Sequence, residues 1–212
     1  MLSFGLTIFW GAFLLFLVQP LIARFILPWF GGGPAVWTTC MLFFQLLLLG
    51  GYAYAHFSIS RLTPRRQVIT HLVLLALAVA LLPITPGDAW KPNDGSHAAG
   101  HILLLLLGCL GLPYLVLSAT GPLLQAWFSK ANPGVSPYRL YALSNVGSLL
   151  ALLIYPFYLE PQLSRQAQAD GWSWGLAIYA GLTAWCGLKV WKSAAADGTD
   201  AKQEDAEAPA SA

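Results

Sequence analysis

Tyr114, Ser118, Gly121 and Gln125 fall at i, i+4, i+7 and i+11, so on a helix they make one polar stripe. Tyr141, Ser144, Asn145 and Ser148 repeat the pattern in the next apolar segment, followed by the small residue Ala151. Thr38, Gln45 and Tyr52, spaced by seven, put further polar groups on one side of an earlier segment. These carboxamides, phenols and hydroxyls donate and accept hydrogen bonds without carrying charge. Such stripes suit two roles. They line a cavity for a small solute, or they are packing seams, because membrane helices associate through small residues and interhelical hydrogen bonds. Spacing alone leaves both open.

The first apolar segment adds Gln19, Pro20 and Arg24, with Pro20 and Arg24 one turn apart on the same face. Arg24 lies about one turn from the segment's end, where its guanidinium can snorkel to the headgroup layer. Facing inward instead, it would hold an anionic group or pair with a partner. Asp and Glu are missing from the interior of every apolar segment. A site for polyamines or other cations, or a proton-coupling site, commonly uses such a carboxylate. His97 and His101 have the spacing of metal ligands on a helix, but Gly100 stands between them and no third ligand is evident. His56 and His71 are expected at a membrane boundary. No GxSxG, HExxH, phosphate loop or cofactor fingerprint occurs, so neither a catalytic residue nor a cofactor is expected.

These residues have to be positioned by segments that are themselves unusual. The 212-residue chain is 57% hydrophobic and 9% charged, against roughly 25% charged for soluble domains. Mean hydropathy is +0.63. Six stretches approach the ~20 apolar residues that cross a bilayer: about 4–28, 36–57, 68–85, 101–128, 139–158 and 172–191. The first lacks a basic n-region and a small-x-small cleavage site, so it reads as a spanning helix and not a signal peptide. Pro113 and Pro122 are expected to kink the fourth. Gly31-Gly32-Gly33-Pro34 and Asn132-Pro133-Gly134 are turn signals. Cys40, Cys109 and Cys186 sit in apolar runs with no CxxC, as packing residues and not a disulfide framework or zinc site.

The fold class expected is an all-α integral membrane protein. Residues 1–192 form a six-helix bundle, and 193–212 a disordered acidic cytoplasmic tail too polar to bury a core. Six of the nine acidic residues lie at or beyond Asp170, five of them from Asp197 onward. Arg61, Arg65, Arg66, Lys130, Arg139, Lys189, Lys192 and Lys202 would share one side of the membrane, against Lys91 and Arg165 on the other. The positive-inside rule then puts both termini in the cytoplasm. Trp29, Trp37, Trp90, Trp127, Trp172, Trp174 and Trp191 lie near segment ends, as an interfacial belt would.

Three stretches carry a resemblance: 19–45 (QPLIARFILPWFGGGPAVWTTCMLFFQ), 117–128 (LSATGPLLQAWF) and 138–152 (YRLYALSNVGSLLAL). Together they resemble the membrane region of bacterial fused major-facilitator/spermidine-synthase-like proteins, over roughly residues 4–190. In that family a soluble synthase-like domain follows the membrane part. The glycine-rich nucleotide loop and aminopropyl-transfer acid of that domain are not found here, so the resemblance implies a membrane module and not synthase activity. It implies half of a major facilitator transporter in the bacterial inner membrane, working as a homodimer or with a separate partner. Gln19, Arg24, Gln45, Tyr114, Ser118, Gln125, Tyr141 and Asn145 are the candidate solute-binding residues, with Arg24 for an anionic group. The competing expectation is a non-transporting anchor or assembly subunit, possibly for a separately encoded synthase-like enzyme. The net charge of +2 gives no reason to expect nucleic acid.

Overall fold

A computed structural model describes residues 1–92 and 98–207, the side chains of Asp88 and 193–207 excepted. Among the described residues every regular element is helical. In chain order they are α1 (Leu2–Phe30), α2 (Pro34–Arg61), α3 (Pro64–Ala80), α4 (Ala98–Ser118), α5 (Thr120–Ala131), α6 (Tyr138–Ile154), the single turn α7 (Glu160–Gln162) and α8 (Arg165–Glu207). A 3₁₀ turn at Asp88–Trp90 precedes α4. Among the described residues four segments are long and apolar enough to cross a membrane: Leu2–Phe30, Pro34–Arg61, Ala98–Ala131 and Tyr138–Gln162. The chain is a helical membrane protein. α3 and α8 coincide with the third and sixth expected segments but fall outside that measure.

Prolines set most of the boundaries. Pro34 and Pro64 begin α2 and α3, where the missing N–H costs nothing and φ is already helical. α3 therefore starts before the expected residue 68, and it ends at Ala80, ahead of Pro83 and Pro86. Pro113 is absorbed within α4. Pro122 is not: it cannot bond the carbonyl four residues back, and the helix breaks at Ala119. Pro156 has the same effect beyond α6, where Tyr155–Leu159 widen into a π turn. Ser164 Oγ accepts from the Ala167 amide at 3.2 Å and caps α8, which begins before the expected residue 172. Helix continues through Ser193 to Glu207, in the segment expected to lack structure. Its alanines, glutamates, lysine and glutamine are good helix formers. Residues 208–212 lie outside the described residues.

α1 is the central element and packs most extensively on α6 and α8. α8 runs antiparallel to it from Arg165 to Lys189. Trp172 Nε1 donates to the Leu14 carbonyl at 2.9 Å, and Trp10 Nε1 donates to the Gly175 carbonyl at 2.9 Å. Thr7 Oγ1 lies 3.4 Å from Cys186 Sγ, and Lys189 Nζ donates to Ser3 Oγ at 2.8 Å. α3 packs on the far side of α8 and on α4, while α2 packs on α4. Trp127 and Trp172 are fully buried in this core. They are interior residues, a correction to the expected belt, because their indole N–H groups find partners inside: Trp127 donates to Gln67 Oε1 at 3.0 Å. Trp37, Trp174 and Trp191 are exposed, as a belt requires.

Two glycines allow backbone contact. A Cβ on Gly147 would sit 2.5 Å from the Phe9 carbonyl oxygen, and one on Gly51 would sit 2.9 Å from that of Leu115. Neither obstacle is a side chain that can turn away, so α1–α6 and α2–α4 have to separate. Gly147→Ala and Gly51→Ala are each expected to destabilise the bundle by roughly 1–3 kcal/mol. Gly181→Ala, which meets nothing within 4 Å, should be neutral. Thermal unfolding in mild detergent checks the difference.

Candidate functional site

The face of α1 opposite α8 is left partly uncovered, and a cavity of about 770 Å³ opens there between α1, α2, the α4–α5 pair and α6. Along α2 it runs from Met41 to Ile59, about 27 Å at 1.5 Å per residue, close to the ~30 Å of a hydrocarbon core. Ile8, Ala12, Leu15 and Phe16 make its apolar floor on α1, with Phe44 and Leu48 on α2.

Seven of the eight candidate residues line this one cavity: Gln19, Gln45, Tyr114, Ser118, Gln125, Tyr141 and Asn145. The two stripes on 114–125 and 141–148 therefore face each other across it. Gln19 Nε2 donates to Tyr114 OH at 3.2 Å, and the Tyr114 ring packs on Phe44 with centroids 5.1 Å apart. Ser118 Oγ donates back to the Tyr114 carbonyl at 2.8 Å, and Ser148 Oγ to the Ser144 carbonyl at 3.0 Å. These are local bonds that satisfy a hydroxyl within its own helix. Thr120 reaches across to α8, with Oγ1 2.6 Å from Tyr179 OH. Among the described residues, the side chains of Gln45, Gln125 and Asn145 make no hydrogen bond. A carboxamide without a partner in an apolar medium is costly, and all three line the cavity.

Arg24 stands apart. It is not in the cavity wall. Its Nη1 donates to the Glu160 carbonyl at 3.3 Å and its Nε lies 3.8 Å from Glu160 Oε1. Pro28 cannot donate to the Arg24 carbonyl, and Arg165 Nη1 does so instead at 3.2 Å. Tyr155 OH completes the cluster by donating to the Pro20 carbonyl at 3.2 Å. Arg24 thus ties the end of α1 to α7 and α8, and the geometry does not place it with the other seven as an anion ligand.

The sequence reading missed two positions. His56, expected at the boundary, lines the cavity. His71, also expected there, is fully buried, stacked on Tyr54 with Nδ1 3.3 Å from its hydroxyl and set edge-on to Trp127. Only the polar stripe through Tyr52 and its neighbour one turn on could have marked His56; nothing local marks His71. His101 packs on Phe30 and Trp90, while His97 lies outside the described residues. Comparison with protein-family models, with curated proteins and with solved structures gives no match for this chain.

Two outcomes follow from this geometry. Asn145→Cys, in the cavity wall, should react with a water-soluble maleimide at least ten-fold faster than Val146→Cys, its exposed apolar neighbour, when both are assayed in a bilayer against the native cysteines. Arg24→Ala should cost no more than about 1 kcal/mol of stability, since its ion pair with Glu160 is half exposed, and should leave the Asn145→Cys reactivity unchanged. Unfolding midpoints and labelling rates of the single and double variants read this out.

Proposed function

We propose that this chain is a six-span, major-facilitator-like module of the bacterial inner membrane that binds or moves a small solute through the cavity between α1, α2, α4–α5 and α6. The observation that carries this reading is the meeting of seven neutral polar side chains, from four separate segments, in one cavity. Packing seams would have paired those groups with one another; among the described residues Gln19 and Tyr114 are so paired, while Gln45, Gln125 and Asn145 line the cavity without a partner. α8 lies antiparallel along α1 from Arg165 to Lys189, so a bilayer spanned by α1 is spanned by α8. α3, about 25 Å long by its 17 residues, is carried across beside α8. Six spans put both ends on one side, together with Arg61, Arg65, Arg66, Lys130 and Arg139, and the positive-inside rule makes that side cytoplasmic.

The module works as a homodimer or with a separate partner. α2 and α6 flank the cavity and are the least buried of the four apolar segments. Gln45, Tyr141 and Asn145 are exposed on them, and lipid does not satisfy such groups. Exposed faces of this kind also favour the second reading, a non-transporting anchor that assembles another polypeptide, such as a separately encoded synthase-like enzyme.

Native mass spectrometry after mild-detergent extraction distinguishes them. A homodimer or a one-to-one membrane pair that retains a small molecule is expected for the solute module. A stoichiometric soluble polypeptide with no retained molecule would replace it with the anchor reading. Reporter fusions after Arg66, Lys91 and Lys192 should report cytoplasm, periplasm and cytoplasm in that order; a periplasmic signal at Arg66 would invert the topology.

A further inference from the structure

We infer that the cavity is built for an uncharged, multiply hydroxylated solute of polyol or sugar type, a claim that rests on reading the cavity as a solute site. Among the described residues its wall carries no Asp, Glu, Lys or Arg. With Arg24 engaged by Glu160 at the bundle's end, the His56 imidazole is, among the described residues, the ionisable lining group apart from the tyrosines. A polyamine or polycarboxylate entering it would shed hydration without gaining a counter-ion, and neutral hydrogen bonds do not compensate that loss. The wall therefore favours a neutral occupant over either sign of charge, a lone imidazole at His56 falling far short of what a polycarboxylate needs.

What it offers matches hydroxyl groups. Gln45, Gln125 and Asn145 come from α2, α5 and α6 and each presents an amide donor and a carbonyl acceptor with no partner among the described residues. A hydroxyl both donates and accepts, so one carboxamide can engage two hydroxyls at once. Tyr114 OH accepts from Gln19 and keeps its own hydrogen for a ligand. Phe44, packed on Tyr114, and Phe16 supply apolar surface for the C–H face that a sugar ring or polyol chain also presents. The cavity volume, about 770 Å³, lies in the range of small-molecule sites.

The test is equilibrium dialysis of the full chain in nanodiscs with four probes: myo-inositol, maltose, spermidine and citrate. Saturable binding of inositol or maltose is expected, weakened ten-fold or more by Gln125→Leu and by Asn145→Leu. The lipid-facing Val146→Leu should leave it unchanged. Each variant is first required to elute as the wild-type species does. Spermidine or citrate binding that falls in the same two variants would overturn the neutral class while leaving the solute reading in place. Polyol binding that neither variant weakens would overturn the assignment to this cavity. No binding of any probe would overturn the inference. In that case maleimide reactivity at Asn145→Cys decides the underlying reading: a reactive cysteine keeps a water-filled site for another neutral solute, and an unreactive one removes the site altogether.

Discussion

The antiparallel contact between α1 and α8 organises the rest of the bundle. It is made by polar groups in an apolar setting, where each has few alternatives. The indoles of Trp10 and Trp172 each donate to a backbone carbonyl on the opposite helix, using the second lone pair that an intrahelical bond leaves free. Ser3–Lys189 and Arg24–Arg165 extend the register toward both ends. With one face of α1 bound this way, α3 is held through α8, and α6 takes a second face through the close approach at Gly147. The remaining face, from Ile8 to Gln19, is what the cavity exposes.

The cavity also depends on the break at Ala119. A continuous helix from 98 to 131 would keep Tyr114, Ser118, Gly121 and Gln125 on one straight line. Pro122 interrupts it, and Thr120 turns its hydroxyl away from the cavity to Tyr179 on α8. α5 is thereby drawn onto α8, which it packs against, while Gln125 still faces inward. A missing backbone donor, a requirement of the proline ring, is thus used to place a polar side chain in the wall.

Local signals in the sequence were enough to locate the six helical segments and the polar stripes on them. Apolar runs and prolines act within a few residues, and a stripe at helical spacing means that one face differs from the rest. Which neighbour meets that face is a long-range fact. Arg24 shows the limit: its partner Glu160 is 136 residues away, and no periodicity in α1 points to it. Trp127 and Trp172 show another, since an indole near a segment end suits a headgroup layer until a partner such as Gln67 or the Leu14 carbonyl is seen to claim it. The π turn at Tyr155–Leu159 follows from Pro156 only once α6 is known to continue past it.

Removing Arg24 from the cavity changes the chemistry more than the loss of one contact. An anion site can be built around a single guanidinium, with neutral groups trimming its shape. On the solute reading, the wall without it relies mainly on neutral hydrogen bonds and apolar surface, and hydrogen bonds discriminate only where the occupant leaves none of them unmet. On the solute reading Gln45, Gln125 and Asn145 carry most weight, as the carboxamides in the wall without a partner among the described residues, beside the hydroxyls of Tyr114 and Tyr141. Two of them, Gln45 and Asn145, stand on α2 and α6, the helices with the least buried surface. If the cavity takes a solute, recognition and closure are therefore one problem in this bundle: whatever covers α2 and α6 also sets how many hydrogen bonds are left for it.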